Sequence, residues 1–261
     1  MCRWIAYRGE TIPLEHYVTS PAHSLIEQSI RALESTAATN GDGFGLGWYG
    51  EHPEPGLYRE VRPAWSDENL RYLCRHIRSS LFFAHVRAAT ATPTTRSNCH
   101  PFVCGRWMFM HNGYVGNWTR VRRKVEALIP DALYGSRVGT TDSEAVFLAI
   151  LGAGAEHDPI AATLRTLVAL SEIGRHYKDP LRFTAALTDG RNLYAFRYAA
   201  NDQANTLYYR SADDNLLLAS EPLDKNRENW NPVPPNHMLV ARSGEAVDLA
   251  PIDLAMRVAA E

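Results

Sequence analysis

The run Arg3 to Tyr7 has the short alternating character of a strand, and a loop leads from it to Ser20-Pro21. Serine followed by proline reads as an N-cap with proline at the first helical position, so a helix is expected from there to about Ser35. Glycines at 41, 43, 45 and 47 then keep a period of two through Gly41 to Tyr49. In a strand, that period strips one face of side chains and lets another backbone or a ligand come close. A helical stretch follows at Asn69 to Ser79, with Cys74 as a core residue, and β-prone clusters predict strands at Leu81 to Arg87 and Trp107 to His111. Helices are expected over Trp118 to Leu128, Asp142 to Leu151 and Pro159 to about Tyr177. The last third returns to strands: Phe183 to Leu187 and Leu193 to Tyr198 flank the turn Asp189-Gly190, and Leu207 to Arg210 and Leu216 to Ala219 flank Asp213-Asp214-Asn215. Strands, then helices, then strands again predict sheets covered by helix layers rather than alternating βαβ units.

Composition changes this picture little. The chain of 261 residues is 45% apolar and 21% charged, an ordinary soluble balance, and its net charge of −2 argues against a nucleic-acid partner. The one basic run, Arg120, Arg122, Arg123 and Lys124, reads as a solvated helix face. No apolar stretch approaches the roughly 20 residues needed to span a bilayer. Arg3, Arg8 and Glu10 interrupt the N-terminus, so no signal peptide is expected and the expected location is the cytoplasm. The glycine-rich segment is not followed by the Lys-Ser/Thr of a phosphate loop, which removes the nucleotide reading. Cysteines at 2, 74, 99 and 104 read as reduced thiols. Cys99 and Cys104 flank His100 and precede His111, which opens a metal or thiol-redox reading; their spacing lacks the C-x2-C knuckle and a second cysteine pair of a structural zinc site.

Four polar constellations carry chemistry. Cys2 follows Met1 directly, so removal of Met1 leaves a thiol and a free α-amino group on one Cα, a nucleophile and a base in a single residue. His85-Val86-Arg87-Ala88-Ala89-Thr90 closes a buried-looking strand and is by default a structural arginine at a strand exit. His111-Asn112-Gly113 is by default a turn, and Gly139-Thr140-Thr141-Asp142-Ser143-Glu144 a helix start capped by Thr141 or Asp142.

Together and in this order, the four resemble the glutaminase domain of class II glutamine amidotransferases, of the N-terminal nucleophile hydrolase superfamily. Further stretches are similar to its stand-alone branch, which includes the amidotransferase-like subunit of a fungal glutathione-degradation complex and the hydrolase of γ-glutamyl-hercynylcysteine sulfoxide. Those stretches are Met1-Cys2-Arg3, Asn40 to Gly45, Phe83 to Ala88, Asn98-Cys99-His100-Pro101-Phe102 and Ser220-Glu221-Pro222-Leu223. The resemblance implies an α+β fold, a four-layer αββα sandwich, as one domain over residues 2–261 with Met1 removed. It implies Cys2 as the nucleophile, Asn112 and Gly113 as the oxyanion hole, Arg87 toward the substrate carboxylate, Asp142 toward its ammonium, and Thr90 as a further substrate-binding residue.

Each residue type suits that task on chemical grounds. Arg87 offers a planar fork to a carboxylate, Asp142 a charge to an ammonium, and an amide with a glycine N–H can meet negative charge developing on a carbonyl oxygen. The expected reaction is hydrolysis of the amide of glutamine or another γ-glutamyl compound through a thioester, with no metal or organic cofactor. Ala88 stands where synthase-linked members commonly carry Trp, and no synthase domain is legible. The product is therefore expected either to be released or to pass to a separate partner subunit, and a subunit that binds the γ-glutamyl ligand without hydrolysing it is the alternative.

Overall fold

The computed structural model describes residues 2–34, 37–89, 92–177 and 179–254. Successive residues of its first strand, β1 (Arg3–Pro13), feed two different cores: Ile5 and Tyr7 pack on one side, Trp4 and Ala6 on the other. The same division recurs in β4 (Arg78–Val86), where Phe82, Ala84 and Val86 face one core and Leu81 and Phe83 the other. In β6 (Trp107–Tyr114), Phe109 faces outward to helices and Met108 and Met110 face inward. β7 (Arg182–Thr188) and β8 (Leu193–Ala199) behave alike, with Phe183, Ala185, Leu187 and Phe196 outward and Ala186, Leu193 and Ala195 inward. A strand buried on both faces alternates between cores rather than between core and water, and here that yields three apolar layers.

Those layers separate four slabs. One sheet has seven strands in the order β11 (Asn231–Pro232), β9 (Tyr208–Ala212), β10 (Asn215–Ala219), β1, β4, β2 (Phe44–Trp48) and β3 (Gly56–Glu60). The other has six, in the order β13 (Asp248–Pro251), β12 (His237–Ala241), β8, β7, β6 and β5 (Phe102–Cys104). All registered pairs are antiparallel. The outer face of the first sheet is covered by α1 (Glu15–Val18), α2 (Leu25–Ile30) and α3 (Glu68–His76), including the fully buried Cys74. The second is covered by α4 (Trp118–Glu126), α6 (Asp142–Gly152) and α7 (Pro159–Gly174), with the short α5 (Asp131–Tyr134) between α4 and α6. This is the expected αββα sandwich. The basic run lies on the exposed side of α4, opposite buried Val121 and Val125. No helix among the described residues is long and apolar enough to cross a membrane.

Gly45 and Gly47 alternate with buried Phe44 and Leu46 on β2, and a Cβ on either would collide with the His100 carbonyl or the Met108 sulfur. The glycine period thus lets the second sheet and its leading segment approach β2.

Two expectations change. Ser20 does not cap a long helix: Ser24 caps α2, its hydroxyl accepting from Glu27 N–H, and the helix stops at Ile30. The cause is distant in sequence, because the Glu221 carboxylate takes the N–H groups of Leu33 and Glu34 at 2.7 and 2.9 Å and draws the chain out of helical register. Asn112-Gly113 is not a turn either. Both residues lie inside β6 and pair with Thr184 and Phe183 of β7, so cross-strand pairing overrides the local turn signature.

Candidate active site

The β1–β4 register pairs Arg3 with Val86, which sets Cys2 opposite Arg87 where both strands end. There the Ala88 N–H donates to the Cys2 sulfur at 3.4 Å and the thiol lies 3.6 Å from the Ala88 carbonyl. Burial pushes the Cys2 thiol up from its ordinary value; the Ala88 N–H and the positive charges of Arg87 and Arg3 act the other way without overcoming it. The strand behind Cys2 is anchored by a buried ion pair, Arg3 Nε to Glu221 at 3.3 Å. Burial raises the Glu221 carboxyl, yet donors from His23, Glu34 N–H and Leu33 N–H, together with Arg3, hold it below the usual range.

Asn112 reaches across from the second sheet. Its Nδ2 donates to the Cys2 carbonyl at 3.0 Å, while its own main-chain carbonyl accepts from Asn205 Nδ2 at 2.9 Å. Arg87 is 4% exposed and is wrapped by backbone: Nη1 donates to the Asp42 carbonyl at 3.4 Å, and Nη2 to the Thr92 hydroxyl at 2.7 Å and to the Thr92 and Pro93 carbonyls at 3.3 Å. Asp42 is brought there by Gly43, whose φ of +109° suits glycine, and its carboxylate accepts from Ala89 N–H at 2.8 Å. Asp142 opens α6 under the Thr141 cap, its two oxygens accepting from Val115 and Ser143 N–H at 2.8 Å each.

Cys2, Arg87, Asn112, Gly113 and Asp142 line a single cavity of about 300 Å³. Thr90, the remaining expected site residue, and Met1, expected to be removed, lie outside the described residues. The cavity also takes in residues that sequence reasoning left unassigned. Asn98, 1% exposed, donates from Nδ2 to the Pro93 carbonyl and the Thr140 hydroxyl at 2.9 and 3.1 Å, and its Oδ1 accepts from Thr140 N–H at 2.8 Å. It therefore ties the loop that wraps Arg87 to the loop that presents Asp142. Its only signal was membership of the Asn98 to Phe102 stretch; Asn205 and Arg182 had none. His111 donates from Nε2 to the Arg182 carbonyl at 3.1 Å and meets the Ser143 hydroxyl at 2.9 Å through Nδ1. Burial lowers His111, with Asp142 and the Arg182 carbonyl opposing, so the ring is a neutral brace between β7 and α6.

The metal alternative finds no geometry among the described residues, and all four cysteines are free thiols. The Cys99 thiol donates to the Glu60 and Thr95 carbonyls at 3.6 and 3.5 Å, and Cys104 packs in the helix-side core. Among the described residues, no group of three or more His, Cys, Asp or Glu is placed to hold a metal.

Comparison with known proteins decides the family. Residues 17–212 match the family described as glutamine amidotransferases class-II. The chain belongs to that family. A probable glutamine amidotransferase of Saccharomyces cerevisiae, DUG3, is 32% identical, the match covering 97% of this chain and 84% of that one. The γ-glutamyl-hercynylcysteine sulfoxide hydrolase of Mycolicibacterium smegmatis is 28% identical over 95% of this chain and 98% of its own. Among solved structures, a glutamine aminotransferase class-II domain protein from Silicibacter pomeroyi is 37% identical with a TM-score of 0.77, covering 97% of this chain and all (100%) of that one. A glutamine phosphoribosylpyrophosphate amidotransferase from B. subtilis, 14% identical with a TM-score of 0.66 over 97% of this chain and 49% of that one, shares the fold. In this class-II amidotransferase the cavity joins the two sheets at the end where β1 begins and β4 and β6 finish.

Proposed function

We propose that residues 2–261 act as one amidohydrolase domain that cleaves the γ-glutamyl amide bond of glutamine or a related compound through a thioester on Cys2. The observation that carries this reading is the convergence of a thiol, an amide donor, a buried arginine and an oriented carboxylate in one cavity of about 300 Å³. The substrate's α-carboxylate pairs with Arg87 and its α-ammonium with Asp142, which fixes the δ-carbonyl beside Cys2. Because burial disfavours the thiolate, a base must take the thiol proton as sulfur attacks, and in a chain that begins at Cys2 its own α-amino group would be that base. One N–H of the Asn112 amide holds the Cys2 carbonyl, leaving the second, with the Gly113 N–H, for the oxyanion. Collapse of the adduct breaks the C–N bond, and the departing amine carries off the proton held by the amino group. That group then deprotonates water, which hydrolyses the thioester to release glutamate and restore the thiol. The named activity of the Mycolicibacterium relative supports the same bond class. The direct test is glutamate release from glutamine and γ-glutamyl amides: the parent releases it and Cys2→Ala does not, and release by Cys2→Ala overturns the proposal.

A further inference from the structure

Ala88 touches the Cys2 sulfur with both of its polar main-chain groups, the N–H donating to it at 3.4 Å and the carbonyl accepting from the thiol at 3.6 Å. The first contact favours the thiolate and the second the thiol, so the balance between them depends on how the Ala88–Ala89 peptide is held. That peptide is held from behind. Its carbonyl and the Ala89 N–H belong to one planar unit, trans like every described peptide bond except His100-Pro101, so the two groups point in opposite directions. The carbonyl faces Cys2, and on the far side the Ala89 N–H donates to the Asp42 carboxylate at 2.8 Å. A carboxylate, a peptide and the nucleophile thus form one chain of hydrogen bonds.

The fold fixes Asp42 for this contact. Phe44 stands opposite Val86 at the end of the β2–β4 ladder, and beyond it the Arg87 N–H donates to the Gly43 carbonyl at 2.8 Å and the Asp42 N–H to the Arg87 carbonyl at 3.0 Å. Gly43, at a φ of +109°, turns the chain there, and a Cβ on it would stand 2.6 Å from the Cys99 sulfur and 2.7 Å from the Glu60 carbonyl. A neutral amide or hydroxyl could cap a single N–H, so the cap alone does not call for a carboxylate. Nor does a cation: among the described residues Asp42 forms no ion pair, and the Arg87 guanidinium donates to its main-chain carbonyl instead. What the charge adds is polarisation, since a carboxylate on the N–H end of a peptide makes the carbonyl at the other end a stronger acceptor.

We propose that Asp42 is a positioning residue for the nucleophile: it fixes the Ala88–Ala89 peptide so that the resting Cys2 thiol donates to the Ala88 carbonyl and keeps its proton there until the α-amino group takes it. Once that proton has gone, the Ala88 N–H remains to hold the thiolate. Asp42 touches no reacting atom and acts through one peptide. The proposal rests on the reading of Cys2 as the nucleophile and adds to it the group that sets the thiol.

Two substitutions separate position from charge. Asp42→Ala releases the peptide and should lower kcat by up to about 10²-fold with a smaller change in KM. Asp42→Asn keeps an oxygen for the Ala89 N–H and should recover most of that loss. Two hydrogen bonds and one peptide separate the carboxylate from the sulfur, about 9 Å at most, so removing the charge should lower the midpoint for alkylation of Cys2 by iodoacetamide by about 0.3 to 1.4 in pH, read from the mass of the N-terminal peptide. The other charged and titratable groups around the thiol are unchanged in that variant: Arg87 and Arg3, Asp142 and Arg182 in the cavity wall, His100 and His111 held toward their neutral forms by burial, and the Cys99 thiol pushed up to about 11. An unshifted midpoint in Asp42→Asn, an Asp42→Asn variant as slow as Asp42→Ala, or parent-like kcat in Asp42→Ala overturns the proposal and leaves Asp42 a turn residue. A parent that releases no glutamate overturns the reading of Cys2 instead, and the alkylation midpoint, which needs no substrate, still decides the role of Asp42.

Discussion

The Asn112 side chain donates to the main-chain carbonyl of Cys2 at 3.0 Å, so the nucleophile's own residue is tethered by the amide proposed to stabilise the oxyanion. Strand β6 of one sheet thereby sets the position of the first described residue of the other. Deleting the amide removes a charge-stabilising donor and frees Cys2 together, so Asn112→Ala should lower kcat by roughly 10²–10³. Asn112→Asp should be as damaging, since it sets an acceptor against the Cys2 carbonyl. Steady-state kinetics beside thermal unfolding checks this; full activity with only a lowered Tm would reduce Asn112 to a strand residue.

Asn98 couples the two head-group loops through the Pro93 carbonyl, which it shares with Arg87, and through Thr140. Asn98→Ala should therefore disturb recognition more than chemistry, raising KM with a smaller fall in kcat. Each hydrogen bond lost to the exposed Pro93 and Thr140 would cost about 0.5–1.5 kcal/mol, or roughly 2- to 13-fold in kcat/KM. A fall in kcat at constant KM would contradict the coupling.

His85 and His100 stack with ring centres 4.3 Å apart, and none of their four buried ring nitrogens has a hydrogen-bond partner among the described residues. Burial, with the nearby Arg87 and His111, pushes His85 down to about 3, and burial beside His85 pushes His100 well below its ordinary range. The folded state thus keeps both rings neutral while the unfolded chain binds protons near pH 6.5. Their contribution is complete above that pH and is lost progressively as pH falls toward the folded values. Between about pH 6.5 and 4.5 the unfolding free energy should fall by up to about 1.4 kcal/mol per pH unit for each histidine. Denaturant titrations should show His85→Phe with a shallower slope, and identical slopes in parent and variant would contradict the assignment.

The strand at Leu81 to Arg87 was legible because burial on both faces leaves a nearly unbroken apolar run, and Arg3 to Tyr7, read as a strand from alternation, is in fact buried on both faces too. Cys2, Arg87, Asn112 and Asp142 were legible because each sits in a short recognisable stretch at an element's end. What sequence did not show depends on partners far along the chain. Glu221 ends the first long helix early by capturing Leu33 and Glu34, some 190 residues away. Pairing with β7 straightens Asn112-Gly113 into a strand. Arg182 and Asn205 join the site only because β7 and the loop after β8 lie beside β6, a neighbourhood no local pattern encodes.

The central claim, a thioester on an N-terminal Cys2, is tested most directly by intact-mass analysis of protein quenched during turnover of a γ-glutamyl amide. The account predicts a chain beginning at Cys2 that carries one γ-glutamyl group, lost on treatment with hydroxylamine and confined to the N-terminal peptide. Steady turnover by a chain that still retains Met1, or a γ-glutamyl group on any other residue, would contradict it.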